Sequence, residues 1–276
     1  MMKASTFLFF ALLATLVPAT ALAGASEWFL TDGARMRLVA AVSPDGKTVD
    51  AGLEFELEDG WKTYWRSPGG SGLPPQVHFL GSENVKSAIM ELPVPKAYYD
   101  YGSEAIGYKN HVVFPITVTP KTPGQPFTLK AGGVVGVCGE ICVPVQFELA
   151  LKETGAAGTQ MDVASALLKA KQGLPGPAHD EQKVLTAKLV GTTPERVTIT
   201  ARVPKGVTAL DLFVEGPPQW YLTTAKLKDH NGDTATFELT LHDAPKDANL
   251  ADTELRFTLV ADGKGTDQRM AISSPQ

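Results

Sequence analysis

Val49, Ala51, Leu53, Phe55 and Leu57 alternate with Asp50, Gly52, Glu54, Glu56 and Glu58, the spacing of a strand with one face buried. Met36, Leu38, Ala40 and Val42 alternate in the same way with Arg35, Arg37, Val39 and Ala41. Ser43-Pro44-Asp45-Gly46 between the two sets is turn chemistry, so together they predict a hairpin. Further strands are expected at Gln76–Leu80, His111–Val118 and Phe127–Ala131, with Pro115 marking a sheet edge or a bulge. No helical period appears before Thr154; Thr159 and Asp162 then open a short helix carrying Met161, Ala164, Leu167 and Leu168, which Gly173 ends. Beyond it the alternation returns at Val184–Val190, Val197–Val203, Leu210–Val214, Tyr221–Lys226, Thr234–Leu241 and Leu255–Val260, with Asn231-Gly232 and Asp262-Gly263 as hairpin turns.

Short strands separated by Pro and Gly turns predict an all-β chain of two immunoglobulin-like β-sandwich domains joined by a short helical linker. The flexible Gly155-Ala156-Ala157-Gly158 and the stiff Leu174-Pro175-Gly176-Pro177 bracket the helix. The expected division is a first domain over 24–154, a linker over 155–180 and a second, smaller sandwich over 181–276. The beginning of the chain reads differently. Lys3 precedes an apolar run from Phe7 to Val17, Pro18 breaks it, and Ala21-Leu22-Ala23 has the small-x-small pattern of a cleavage site, so residues 1–23 are expected to be a cleaved signal peptide. The run falls short of the ~20 residues of a membrane helix, and no later stretch approaches that length, so no membrane span is expected in the mature chain.

Composition adds little beyond size and sign. The 276 residues are 43% hydrophobic with 26 glycines and 20 prolines, a turn-rich globular composition long enough for two ordinary domains. A net charge of −5 and the lack of any basic run argue against nucleic acid or anionic lipid as a partner.

Chemistry is concentrated in Val137-Cys138-Gly139-Glu140-Ile141-Cys142-Val143-Pro144, which holds both cysteines of the sequence at a strand-turn-strand junction. Gly139 permits a tight turn, and the spacing can bring the two cysteines within disulfide reach. Closing so short a ring stabilises by about 2 kcal/mol, against about 4.7 kcal/mol for a ring of about a hundred residues. A chain with two cysteines would gain more from a staple that joined distant points, so the spacing favours redox activity, with a structural staple as the alternative. Two thiolates alone do not make a metal site, and His78, His111, His179, His230 and His242 form no ligand spacing, so neither metal nor another cofactor is expected. Glu140 between the cysteines, with no helix N-terminus to offset it, predicts thiols no more acidic than usual.

Three segments carry a resemblance: Asp59-Gly60-Trp61-Lys62-Thr63-Tyr64-Trp65-Arg66-Ser67-Pro68-Gly69-Gly70-Ser71-Gly72-Leu73-Pro74-Pro75, Tyr108 to Pro120, and the cysteine segment. Together they resemble the exported N-terminal region of the family of the thiol:disulfide interchange reductase DsbD and its relative ScsB, the suppressor of copper sensitivity protein. The resemblance implies an immunoglobulin-like domain in the periplasm whose cysteine pair takes electrons from a membrane-embedded partner and passes them to exported, thioredoxin-like proteins. Cys138 and Cys142 match the redox pair, with Cys142 as attacking and Cys138 as resolving thiol. Tyr64 matches a residue lining the site, and Tyr98, Tyr99, Asp100 and Tyr101 fall where the family carries a loop that caps the cysteines. The sequence departs from DsbD in its three-residue spacing and shows no membrane or thioredoxin-like segment, so a separate membrane donor is expected. The function read from the sequence is a thiol:disulfide interchange module. The competing reading is a non-catalytic two-sandwich adaptor or copper-stress protein with a structural disulfide.

Overall fold

The computed structural model describes residues 24–43, 47–70, 72–100, 102–153, 161–190, 196–217, 220, 222–241, 250 and 253–274. The expected leader over 1–23, the turn residues 44–46, Tyr101, the glycine-rich 155–158 and Thr159 lie outside them. In chain order the first half forms β1 (Phe29–Thr31), β2 (Ala34–Val42), β3 (Val49–Leu57), β4 (Lys62–Tyr64), β5 (Gln76–His78), β6 (Val85–Met90), β7 (Lys96–Asp100), β8 (Ser103–Lys109), β9 (His111–Pro120), β10 (Phe127–Cys138) and β11 (Cys142–Glu153). The helix α1 (Met161–Gln172) follows, then β12 (Gly176–Pro177), β13 (Lys183–Val190), β14 (Arg196–Arg202), β15 (Leu210–Glu215), β16 (Lys226–Asn231), β17 (Thr234–Thr240), β18 (Glu254–Ala261) and β19 (Lys264–Ala271).

Two sheets make the first sandwich, one in the order β1-β2-β3-β9-β6 and the other in the order β11-β10-β4-β8-β7, with β5 also on β10. The expected hairpin is present: β2 and β3 pair antiparallel from Ala34↔Leu57 to Val42↔Val49. Its alternation does what the pattern requires. Met36, Leu38, Leu53 and Phe55 are fully buried, each contributing about 1.5–3 kcal/mol, while Arg35 and Arg37 turn outward onto Glu56 and Glu54 of the neighbouring strand. Pro115 does not mark an edge, because β9 runs between β3 and β6. Instead it lies where β6 stops: Ile116 pairs with Met90, the last residue of β6, and the Glu91 N–H donates to the Pro115 carbonyl at 2.9 Å. The ladder ends where the next bond would need the N–H that proline lacks.

The helix lies on the outer face of the first sheet, and its buried stripe is Val163, Leu167 and Ala170 against Val39 and Val113. Leu168, expected on that stripe, points to solvent. Gly52 makes room: a Cβ there would approach Leu167 Cδ2 to 2.9 Å.

The second half forms the sheets β12-β19-β18-β15 and β13-β14-β17-β16 around a separate core that includes Ile199, Leu212, Phe237, Leu239 and Phe257. Of the strand expected at Tyr221–Lys226, Tyr221 lies outside the described residues, and 222–225 precede β16, which begins at Lys226. Leu222 and Ala225 are buried as a connection into this core, and the β16 ladder is set by the turn at Gly232. The two sandwiches touch through Trp65, whose ring packs tilted against that of Phe213 with centroids 5.6 Å apart, and Phe213 and Val260 count among the core residues of the first sandwich. Among the described residues no helix is long and apolar enough to cross a membrane.

Candidate functional site

Cys138 ends β10, Cys142 opens β11, and the two are registered partners joined by a disulfide with Cα atoms 4.1 Å apart. Two residues further along the ladder Gly136 pairs with Pro144. Proline has no N–H to give to β10, so this pair and, by alternation, the cysteine pair are of the non-hydrogen-bonded kind, in which backbones and side chains approach most closely. The Gly136 carbonyl accordingly faces β4, where it accepts the Thr63 hydroxyl at 2.9 Å. β11 is the outer strand of its sheet, so Cys142 stands at a rim while Cys138 is covered on both sides. Cys138 is 0% exposed, whereas Cys142 is open to solvent.

Alternation puts the cysteines on the outward face of the sheet, opposite the core face that carries Val135, Val137 and Val145. Lys62 is the registered neighbour of Cys138 on β4, and Tyr64 stands two residues along on the same face. The Tyr64 ring, 2% exposed, forms a small buried cluster with Ala105 and Cys138, and its hydroxyl lies 3.2 Å from Cys142 Sγ. Burial pushes the Tyr64 hydroxyl above the ordinary tyrosine range, so it stays protonated near neutral pH and available as a donor to sulfur. Glycines form its slot. A Cβ at Gly72 would come 2.6 Å from Tyr64 Cδ1, one at Gly136 2.8 Å from Cδ2, and one at Gly107 would strike the Thr63 carbonyl. Trp61 lies across the turn between the cysteines, where a Cβ at Gly139 would come 3.2 Å from the indole; the ring also lies close over Gly33 and packs against the core of the first sandwich. Of the three aromatics on this segment, Tyr64 meets the disulfide, Trp65 belongs to the core, and Trp61 covers the cysteine turn.

Tyr98, Tyr99 and Asp100 are in a strand rather than a loop: β7 and β8 pair from Lys96↔Gly107 to Asp100↔Ser103, and Tyr101 lies outside the described residues. Tyr98 pairs with Ala105 and stands on the cysteines' face with its ring under the Lys109 ammonium. Tyr99 is on the opposite face and is not brought to the sulfurs; it is 70% exposed and donates its hydroxyl to Glu104 Oε2 at 2.5 Å. The carboxylate of Glu104, followed by burial, pushes Tyr99 up to about 12. Asp100 is placed only by its backbone pairing with Ser103. Glu140 is exposed in the turn beside Ile141, which is 76% exposed. Lys62, the slot that Gly72 and Gly136 form around the Tyr64 ring, and Gly107, which lets β8 close on the backbone of Thr63 and Tyr64, were not singled out from the sequence.

Chemically, this arrangement offers one accessible sulfur backed by one covered sulfur, with a phenol aimed at the accessible one. Thiol–disulfide exchange needs those parts and no bound cofactor. Among the described residues no group of three or more His, Cys, Asp and Glu side chains converges to hold a metal ion.

Comparisons with known proteins agree with this geometry. Residues 34–154 match the family described as thiol:disulfide interchange protein DsbD, N-terminal, and residues 174–275 match a domain of unknown function, DUF8393. The crystal structure of the N-terminal periplasmic domain of ScsB from Proteus mirabilis superposes with a TM-score of 0.74 at 21% identity, covering 91% of this chain and 99% of that one. The likeness spans both sandwiches and establishes a shared fold. The MSCRAMM ACE from Enterococcus faecalis aligns at a TM-score of 0.15 and 9% identity, too distant to bear on the fold. No curated protein matches by sequence. Residues 34–154, the sandwich that carries Cys138 and Cys142, thus match the family model described as thiol:disulfide interchange protein DsbD, N-terminal, within a chain that shares the fold of the ScsB periplasmic domain.

Proposed function

We propose that the chain is a periplasmic thiol:disulfide interchange module. It takes two electrons from a separate membrane-embedded donor and passes them through Cys138 and Cys142 to thioredoxin-like exported proteins. The observation that carries this reading is the asymmetry of the pair: Cys142 exposed with Tyr64 at 3.2 Å, Cys138 at 0% exposure behind it. The match of residues 34–154 to the DsbD N-terminal family model supports it, and the ScsB domain of the same fold is described as periplasmic. In this reading residues 24–154 are the redox domain and 181–276 a second domain with its own core.

The reduced protein holds two thiols. The Cys142 thiolate attacks one sulfur of the acceptor's disulfide; that bond breaks, a mixed disulfide forms, and the acceptor's other sulfur leaves and takes a proton. Cys138 then loses its proton and attacks Cys142 Sγ. The mixed disulfide breaks, the second acceptor thiol is released, and two electrons and two protons have moved. Only Cys142 can meet a partner first, because an acceptor sulfur cannot reach Cys138 while it is covered.

Equilibration against glutathione and dithiothreitol buffers tests the reading. The pair is expected to exchange within the range of biological dithiols; a pair still oxidised well below about −300 mV would be a structural staple in an adaptor protein. In cells, Cys138→Ser is expected to accumulate mixed disulfides with thioredoxin-like partners and Cys142→Ser to accumulate none. The reverse pattern would exchange the two roles.

A further inference from the structure

Tyr64, Trp65 and Arg66 are consecutive, and each is held by something different. The Tyr64 hydroxyl meets Cys142 Sγ. Trp65, 0% exposed, packs its ring at a tilt against Phe213 of the second sandwich. The Arg66 guanidinium lies 4.0 Å over the Trp65 ring and reaches further into that sandwich. Its Nε donates to both carboxylate oxygens of Glu215 at 3.0 Å, and its Nη2 donates to Thr258 Oγ1 at 3.2 Å and Asp267 Oδ2 at 3.3 Å. Arg256 closes the network from within the second sandwich by pairing with Asp267. On its other side the same segment is tied to β8, the Trp65 N–H donating to the Ile106 carbonyl at 3.0 Å and the Ile106 N–H to the Pro68 carbonyl at 2.9 Å. β8 is itself anchored to the second sandwich, since the Thr224 N–H donates to Glu104 Oε1 at 2.6 Å.

Planar, forked pairing of a half-buried arginine with two carboxylates fixes direction as well as distance. Arg66 is only two residues from Tyr64, a span of about 7 Å in extended chain, so little slack separates the ionic anchor from the ring. A surface ion pair would not need Trp65 driven into a neighbouring core, nor the Arg66 stem laid across it. This wedge positions backbone, and the backbone it positions is that of Tyr64.

We infer that the second sandwich braces the redox site, with Trp65 and Arg66 as positioning residues that hold the Tyr64 hydroxyl on the sulfur of Cys142. The inference rests on the exchange reading above and assigns the second sandwich a part in it. When Cys142 is reduced, a phenol O–H aimed at its sulfur stabilises the thiolate over the thiol and tempers its attack. The second sandwich therefore sets how much thiolate stands ready, without itself contacting sulfur or substrate.

The test uses the full chain in a Cys138→Ser background, where Cys142 is the single thiol, and follows iodoacetamide alkylation as a function of pH. Tyr64→Phe, Arg66→Met and Glu215→Gln are each expected to move the alkylation midpoint to higher pH, so that the rate near neutral pH falls several-fold. Arg66→Met combined with Tyr64→Phe is expected to add nothing to Tyr64→Phe alone, because the arginine acts through the tyrosine. Should Arg66→Met fail to fold, Glu215→Gln, of nearly the same shape, carries the test. A Glu215→Gln protein that folds and keeps the unaltered midpoint overturns the brace, as does an Arg66→Met effect that adds fully to Tyr64→Phe. The exchange reading fails separately: if the intact cysteine pair resists reduction in redox buffers, that reading falls whatever the midpoints do. If the pair equilibrates and the midpoints stay put, the brace alone is wrong.

Discussion

Glu54 receives hydrogen bonds from both Arg37 Nε at 2.6 Å and His111 Nε2 at 2.9 Å, on the outer face of the sheet opposite the cysteines. Burial pushes its carboxyl up, but the bonds from His111 and Arg37 outweigh that and hold it below the ordinary value. A carboxyl with a depressed folded pKa contributes stability above its unfolded value and loses it as pH falls through the folded one. The urea midpoint is therefore expected to drop as pH is lowered from about 5 to about 3, and to drop less in Glu54→Gln. Gly107 offers a sharper test of the site. Gly107→Ala would drive a methyl into the Thr63 carbonyl and toward Tyr64 Cα, which lies 2.9 Å from the added atom. It is expected to cost about 1–3 kcal/mol in urea unfolding and to slow exchange, while Gly70→Ala, with open space around it, does neither. The cysteines drew attention by residue type, as reactive atoms do, whereas Tyr64 was pointed to only by the family resemblance. The slot of Gly72 and Gly136 was not legible, because its meaning lies in a ring brought to it by the fold. Tyr99 misled in the opposite way: one step along a strand sends it to the other face, and only the register tells Tyr98 from Tyr99.

Among the elements, α1 separates two neighbouring leucines. Leu167 is 2% exposed against Val39 and Val113, and Leu168 is 58% exposed. Leu167→Ala is expected to cost about 2–4 kcal/mol in chemical unfolding and Leu168→Ala less than about 0.5 kcal/mol; equal costs would mean that the helix docks through a different face. The helix itself was legible from its composition, but its buried stripe was shifted, since the deciding partner is the gap over Gly52 on a strand far away in sequence. Strands with one face in the core, such as β2, β3 and β14, were visible as alternation. β7, β16 and β19 were not, because Lys96–Asp100, Lys226–Asn231 and Lys264–Ala271 lie at or near sheet margins and carry little apolar alternation. β19 is recruited by its turn: Asp262 at φ 46° and Gly263 at φ 81° are both left-handed, the geometry that folds one strand back on another.

At the scale of the molecule, the two sandwiches share a seam that no stretch of the chain signals on its own. Arg66 pairs with residues 149 and 201 positions further along, and no local pattern encodes such a contact. Phe213 is the test of the seam. Phe213→Ala removes a fully buried ring that packs on Trp65, so it is expected to lower stability by about 3–5 kcal/mol and to make the two sandwiches unfold at separate denaturant concentrations. A single transition at the unaltered midpoint would show that Trp65 needs no partner there. The other margin of the molecule faces outward. β11 begins at Cys142 and runs along the rim, but Pro144, two residues on, turns a nitrogen without hydrogen toward the outside. A visiting protein that comes for the sulfur finds the edge spoiled as a template just where it would zip on. Its hold is then confined to side chains around one covalent bond, and breaking that bond sends it away. In the proposed carrier role, throughput depends on how fast a visitor leaves as much as on how fast it reacts, and a proline at the rim keeps the visit short.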